Sequence, residues 1–329
     1  MKKLFLFGVL CAMAAPAFAA DTGYRITRHL KLDKATHLDY AAIDEVRQRL
    51  FVTLGDHVDV VEISSGKMMA TISNTQGAHG VAFAQDLKLG FISNGHSSSV
   101  TVFDLDTLKP KEEISVPGKN PDAILYEESV HKLYAFNGDS EDENKNVEVI
   151  DATTLKVIDT IKATGAPEFA VSDAKGRIYF NIEKNNPGIN VIDVASDKVV
   201  NNWPLEGCEG PTGLAIDRQN MRLFSACKNG IVAVTDARTG KRVTQFHIGE
   251  HPDAVIYDPE TRTVLTSGGG GNGTLTIAYQ DDADHYTVRQ SVVTEKGART
   301  MAMEDKSKTI YLPTVIKNKA VIVVATHKD

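Results

Sequence analysis

The residue types that staple a chain or mark a common active site are scarce here. Among 329 residues there are three cysteines and one tryptophan, Trp203. So few cysteines cannot build a disulfide-dense scaffold or a four-cysteine zinc site. Covalently attached haem is not indicated, because no Cys-x-x-Cys-His occurs. There is no Gly-x-Ser-x-Gly elbow, no His-Glu-x-x-His and no Gly-Lys-Ser/Thr after a glycine run, so the familiar hydrolase, zinc-protease and nucleotide signatures are missing. No window of about eleven residues holds a 3.6-residue apolar period, which disfavours a helix bundle. Positive charge is not in excess either. The formal net charge is -7, and nothing overall draws in nucleic acid or an anionic membrane.

The longest apolar run stands at the start. Lys2 and Lys3 precede the run Leu4 to Ala15, and Ala17-Phe18-Ala19 has the small-x-small pattern of a signal-peptidase site. A run of about a dozen residues is too short to span a bilayer. Residues 1–19 therefore read as a signal peptide cleaved after Ala19, leaving 20–329 as one exported domain, periplasmic or secreted. Cys11 does not make a lipoprotein site, since Leu10 stands where a small residue is needed. Later stretches are too polar for a membrane span.

What the chain has in plenty is repetition. A unit beginning at Asn120 holds four strand-like runs, Ala123 to Tyr126, Lys132 to Phe136, Val147 to Asp151 and Lys156 to Ile161. Apolar residues alternate within the runs, and polar turns separate them. Similar units begin at Leu38, His79, Pro167, Pro211, Pro252 and Ala298, a spacing of about 44 residues on the scale of propeller repeats. The last copy stops after its third strand. The segment Tyr24 to Leu32 reads as a fourth strand lacking its first three. Joined, the two chain ends complete the seventh unit, which removes free sheet edges. The expected fold is an all-β seven-bladed β-propeller whose last blade is closed by the N-terminal strand of the mature chain.

The stretches KLYAFNGD…NVEVIDATTLKVIDTI and RLFVTLGDHVDVVEISSGKMMATI, with Pro121, Pro167, Pro211 and Pro252 opening units, resemble the YVTN β-propeller repeat. The chain from about 24 to 327 is similar to the YncE-like family of exported seven-bladed propellers. The resemblance implies the fold. It also implies single-stranded DNA binding, a mode that needs a basic groove with stacking aromatics. The acidic charge and the lone tryptophan argue against that mode here.

In such a propeller the first strand of each blade lines the central channel. The fourth-to-first connection and the second-to-third loop open on one face, the top. Aligned copies put Asp39, His79, Asp122, Glu168, Thr212, Asp253 and Arg299 at the channel mouth. Four carboxylates in one ring repel one another, and a ligand, metal ion or cationic group relieves that. The competing reading is a wet structural ring, with carboxylates accepting backbone N–H groups and Arg299 pairing with a neighbour. Top-face loops contribute Asn94, His96, Asn137 and Asp139. His37, His57, His79, His96 and His251 fall on the same face. Imidazole beside carboxylate suits a transition metal, with His37, His79, His96 and His251 as the candidate ligands.

Two further features belong to that face. The run Gly268 to Gly273 reads as a loose hairpin connection, and the acidic loop Asn137 to Asn146 as a solvated loop. Cys208 lies in the connection entering the fifth unit and Cys227 ends that unit's second strand. Hairpin pairing brings Cys227 near Pro211, and so within bridging distance of Cys208, about 5.5 Å between Cα atoms. The function this supports is a non-enzymatic, monomeric scaffold that binds a small molecule or protein partner at its top face. A metal-assisted hydrolase or lactonase is the alternative, and single-stranded DNA binding a second one. A metal ion is the cofactor that the histidine–carboxylate mixture would admit.

Overall fold

The computed structural model describes residues 23–32, 37–138 and 146–328. The expected signal peptide and Asp139 lie outside the described residues. Strand β1 (Gly23–Lys31) is followed by β2 (Ala41–Asp44), β3 (Arg49–Thr53), β4 (Gly55–Glu62) and the long β5 (Met68–Ala84). Next come β6 (Leu89–Asn94), β7 (Ser99–Asp104) and β8 (Pro110–Ser115), then β9 (Pro121–Glu127), β10 (Lys132–Asn137), β11 (Asn146–Asp151) and β12 (Lys156–Lys162). The pattern continues with β13 (Pro167–Ser172), β14 (Arg177–Ile182), β15 (Gly188–Asp193) and β16 (Lys198–Pro204), and with β17 (Pro211–Asp217), β18 (Arg222–Cys227), β19 (Ile231–Asp236) and β20 (Arg242–His247). It ends with β21 (Pro252–Asp258), β22 (Thr263–Gly268), β23 (Thr274–Gln280), β24 (Tyr286–Val293), β25 (Ala302–Met303), β26 (Ile310–Ile316) and β27 (Lys319–Lys328). A single 3-10 turn, Glu128–Val130, interrupts this among the described residues. Among the described residues no helix is long and apolar enough to cross a membrane.

Two recurring turn chemistries explain why the sequence folds into antiparallel hairpins. The first-to-second-strand turns place a residue in the left-handed region just before the second strand, at Gln48, Lys88, His131, Met221, Arg262 and Lys308. The loops are four residues long, with Asp44 opposite Arg49, Glu127 opposite Lys132 and Asp217 opposite Arg222, the length of hairpin loops built around a type I turn. The third strands end in Asp104, Asp151 and Asp236. Each carboxylate accepts backbone N–H groups two and three residues on, at 2.8–3.1 Å, so the aspartate makes the turn.

Sheet order follows. Four-stranded antiparallel sheets run β9 to β12, β13 to β16, β17 to β20 and β21 to β24. A further sheet has the order β1-β27-β26-β25 and so joins both ends of the described chain, with Gly23 opposite Lys328 and Lys31 opposite Val321. The remaining sheet is seven-stranded, β2 to β8, because β5 serves two hairpin stacks in succession. Ala78 in β5 pairs with Gly55 of β4 on one side and with Asn94 of β6 on the other. The sequence reading expects a break there, between two units. The strand instead absorbs the junction through irregularities, with Asn74 and Gly77 at positive φ and a register shift between Gly55 and His57.

The core lies between sheets. Seven apolar clusters each join two successive stacks. Phe136 of β10 meets Phe180 of β14 with ring centroids 5.2 Å apart, and Phe224 of β18 stacks on Tyr257 of β21 at 5.3 Å. One cluster packs β26 and β27 on β22 and β23, and another packs them on β3 and β4. The innermost strands lie side by side, β5 on β9, β9 on β13, β13 on β17, β17 on β21 and β25 on β2. This radial stacking of twisted antiparallel sheets is a β-propeller.

Side chains, three of them from second strands, also clip each stack to the inner strand of the next. Ser93 Oγ donates to the Asp122 carbonyl at 2.5 Å, Asn181 Nδ2 to the Thr212 carbonyl at 2.9 Å and Thr212 Oγ1 to the Pro252 carbonyl at 2.8 Å. Ser267 donates to the Arg299 carbonyl, and Thr300 Oγ1 to the Asp39 carbonyl at 2.6 Å. Each clip fixes the backbone at or next to a residue of the channel mouth. The bridge between Cys208 and Cys227 is formed, with Cα atoms 5.3 Å apart and Cys227 opposite Pro211.

Candidate functional site

The clipped strand starts converge on one cup. A cavity of about 250 Å³ is lined by Asp39, His79, Asp122, Glu168, Thr212, Asp253 and Arg299, together with His37, Tyr40, Asn120, Glu183, Lys184 and Lys228. All seven residues that the aligned repeats place at the channel mouth are therefore in one lining. Its floor is Tyr40, buried and packed against Phe169 with ring centroids 5.4 Å apart. Beneath it lies a smaller apolar space of about 60 Å³, lined by Ala41, Phe169, Gly213, Ala254, Val255, Ile256 and Met301 as well as the tyrosine. The Tyr40 ring lines both spaces, so it separates the cup at the mouth from the apolar space deeper in the channel.

Charge inside the cup is arranged in two groups. On one side the His79 Nδ1 lies 2.5 Å from Asp39 Oδ2 and 3.7 Å from Asp122 Oδ1. Burial works to lower the His79 pKa, but the hydrogen bond to Asp39 and the charges of Asp122 and Asp39 raise it to about 9. On the other side Arg299 Nε lies 3.1 Å from Asp253 Oδ2, and its Nη2 lies 3.9 Å from Asp39 Oδ1. The expected pairing of Arg299 with a neighbouring carboxylate is thus present. Glu183, at the end of β14, is paired with Lys228 and lies 3.5 Å from Lys184 Nζ.

These cations do not compensate the carboxylates fully. Burial, then the charges of neighbouring carboxylates, pushes Asp122 up to about 7, with His79 and Arg299 pulling the other way. Asp253 also rises to about 7, through burial opposed chiefly by Arg299. Glu168 lies well above the usual range through burial and the charges of Asp122, Asp253 and Glu183. Asp122 Oδ1 is shut off from solvent and accepts no hydrogen bond. A buried carboxylate oxygen without a partner is costly. The cup therefore favours an added positive charge.

The other residues singled out in the sequence are distributed differently. Asn94 and Asn137 are wholly buried at the ends of β6 and β10. Their side chains serve their own sheets, Asn94 donating to Thr101 Oγ1 at 2.8 Å and Asn137 to Glu148 Oε1 at 3.3 Å. His57 engages Asp56 at 2.6 Å within β4. His251 is exposed and sits against the glycine run beside Gly270. His96 is outside the cup lining, although its charge is felt by His37. His37 joins the cup, with its ring centroid 6.2 Å from that of His79. Sequence alignment missed Asn120, Glu183, Lys184, Lys228 and the Tyr40 floor. A comparison of second-strand ends, where Glu183 and Lys228 flank a top loop, was the signal that could have found two of them. The glycine run does connect β22 to β23, as expected of a hairpin.

No family model and no curated protein matches the chain. Solved structures do. A chain of the hydrazine synthase of Kuenenia stuttgartiensis is similar with a TM-score of 0.77 at 16% identity, covering 90% of this chain and 97% of that one. A chain of the mitotic checkpoint complex reaches 0.79 at 12% identity, covering 100% and 99%. The RRP9 WD40 repeats reach 0.76 at 10% identity, covering 93% and 98%. At these identities the likeness shows the fold, and it puts the chain in the class of β-propellers. Propellers host many unrelated activities, so the function rests on the cup.

Proposed function

We propose that this protein is an exported, seven-bladed, ring-closed β-propeller of the YncE-like kind that acts as a binding scaffold and holds a positively charged group in its mouth cup. Seven interlayer clusters, with the last sheet packed on the first, support seven blades in a closed ring. The repeat stretches around Lys132–Asp151 support the family, and the Lys2–Ala19 pattern supports export. The observation that carries the binding assignment is the cup itself. Asp39, Asp122, Glu168 and Asp253 are brought from four successive or opposed inner strands into one small buried space, and one of their oxygens is left without a partner. The occupant is a small cation or the cationic side chain of a protein partner. Five carboxylates against three lysine and arginine side chains in the lining disfavour a phosphate-bearing strand.

The test is a melting-temperature screen of the mature chain against putrescine, agmatine, arginine amide and divalent metal chlorides, repeated on Asp122→Asn and Asp253→Asn. A saturable upward shift that either substitution abolishes supports the reading. No shift from any probe, or shifts that survive both substitutions, sinks the cup as the site.

A further inference from the structure

The cup is not uniform, and one corner of it has the donors of a metal centre. His37, Asp39 and His79 each offer one ligand atom, and these atoms all lie within 4.8 Å of one another. His37 and Asp39 precede β2, and His79 lies within β5 at the register shift between Ala78 and Val81. The unpartnered Asp122 Oδ1 is 3.7 Å from the same His79 nitrogen. We propose that this corner binds one divalent first-row transition ion through a ring nitrogen of His37, Nδ1 of His79 and carboxylate oxygens of Asp39 and Asp122. The proposal rests on the reading of the cup as a cation site and names its occupant.

Three features support it beyond proximity. The first is donor chemistry. Two imidazoles with carboxylates select zinc, copper or nickel over calcium or magnesium, which prefer all-oxygen cages. The second is the outer support of His79. The His79 side chain also hydrogen-bonds Asn120, and the Asn120 Nδ2 donates to the Gly138 carbonyl at 3.1 Å. That leaves the Asn120 Oδ1 to accept from Nε2–H, since Nδ1 faces the carboxylates. Such a hydrogen bond fixes the tautomer in which Nδ1 is free to ligate. The third is the orphaned oxygen. No protein donor reaches Asp122 Oδ1, and a bound ion supplies the partner it lacks. Without the ion, a proton on Nδ1 holds the His79–Asp39 hydrogen bond. The ion replaces that proton on Nδ1 and the two donors separate to its coordination distance.

The test uses protein purified without a polyhistidine tag, stripped with chelator and titrated with Zn2+, Cu2+, Ni2+, Ca2+ and Mg2+ by calorimetry. Elemental analysis gives the stoichiometry, and electron paramagnetic resonance of the Cu2+ form gives the ligands. The expected result is one equivalent of a transition ion bound in preference to Ca2+ and Mg2+, with hyperfine structure from two nitrogens. His37→Ala, an exposed position whose loss leaves the fold intact, should weaken binding by about tenfold or more and leave one nitrogen in the spectrum. His251→Ala, exposed and outside the cup, should change neither. Unchanged affinity in His37→Ala, or a preference for Ca2+ or Mg2+, overturns the proposal. If no metal binds but putrescine still raises the melting temperature in an Asp122-dependent way, the metal assignment fails and the cation-binding reading stands. If no probe acts, both fail.

Discussion

Asp253 offers the sharpest check on the physical picture of the cup. Its carboxyl is buried, and its pKa rises from an ordinary 3.8 to about 7, by burial with Arg299 opposing. Consider Asp253→Asn in chelator-treated protein. Between those two pH values the unfolded chain has released the proton and the native chain still holds it. The native state then binds more protons, so stability falls as pH rises across that window and levels off above about 7. A rise of about three pH units, at about 1.4 kcal/mol each, caps the native-state cost of the ionised group at about 4 kcal/mol. Coupling to Asp39 and Glu183 shares that cost, so about 1–3 kcal/mol is expected for this one group. Asparagine cannot ionise and still accepts from Arg299 Nε. The variant should therefore match or fall slightly below the native chain at pH 4 and exceed it by about 1–3 kcal/mol at pH 8. Denaturant melts at both pH values measure this. A difference that does not change between pH 4 and pH 8 refutes the reasoning, because it means Arg299 already holds the carboxylate ionised at low pH.

Three further outcomes follow from the same packing. Replacing Cys208 and Cys227 together by alanine should cost about 3 kcal/mol in a denaturant melt, the loop-closure value for a bridge spanning 19 residues. Gly90→Ala should cost about 1–3 kcal/mol by overpacking, because a Cβ there runs into the Phe103 ring, and a thermal melt reads it. Deleting residues 23–31 strips the outer strand from β27; the truncated chain should melt lower and show concentration-dependent light scattering, since β27 then presents an open edge.

Much of this was legible in the repeats. The second run of the Asn120 unit, Lys132 to Phe136, differs from β10 by one residue, because the apolar run marks the strand and the turn at His131 fixes its start. The lone N-terminal run Tyr24 to Leu32 does pair with the last strand of the chain, since a unit lacking its outer strand has only that partner. The mouth residues were found because each occupies the same place in a repeat. Glu183 and Lys228 escaped because the repeats were compared at their first strands, whereas both residues directly follow a second strand, β14 and β18; Lys184 lies one residue further into its loop. Asn94 and Asn137 were read as loop residues. They are the last residues of their strands, and the two-residue period turns them inward onto Thr101 and Glu148. The continuous β5 was illegible because Asn74 and Gly77 look like turn residues, yet serve as irregularities within one strand.

That undivided β5 has a consequence for how the molecule breathes. Elsewhere the junction between units is a loop. The first two stacks share a backbone from Met68 to Ala84, so opening either one tears hydrogen bonds from the other. Amide exchange in β2 to β8 should therefore proceed as a single cooperative unit, slower and more uniform than in the remaining stacks. His79 lies on that shared strand, so this corner of the cup is carried by the backbone that the two stacks have in common.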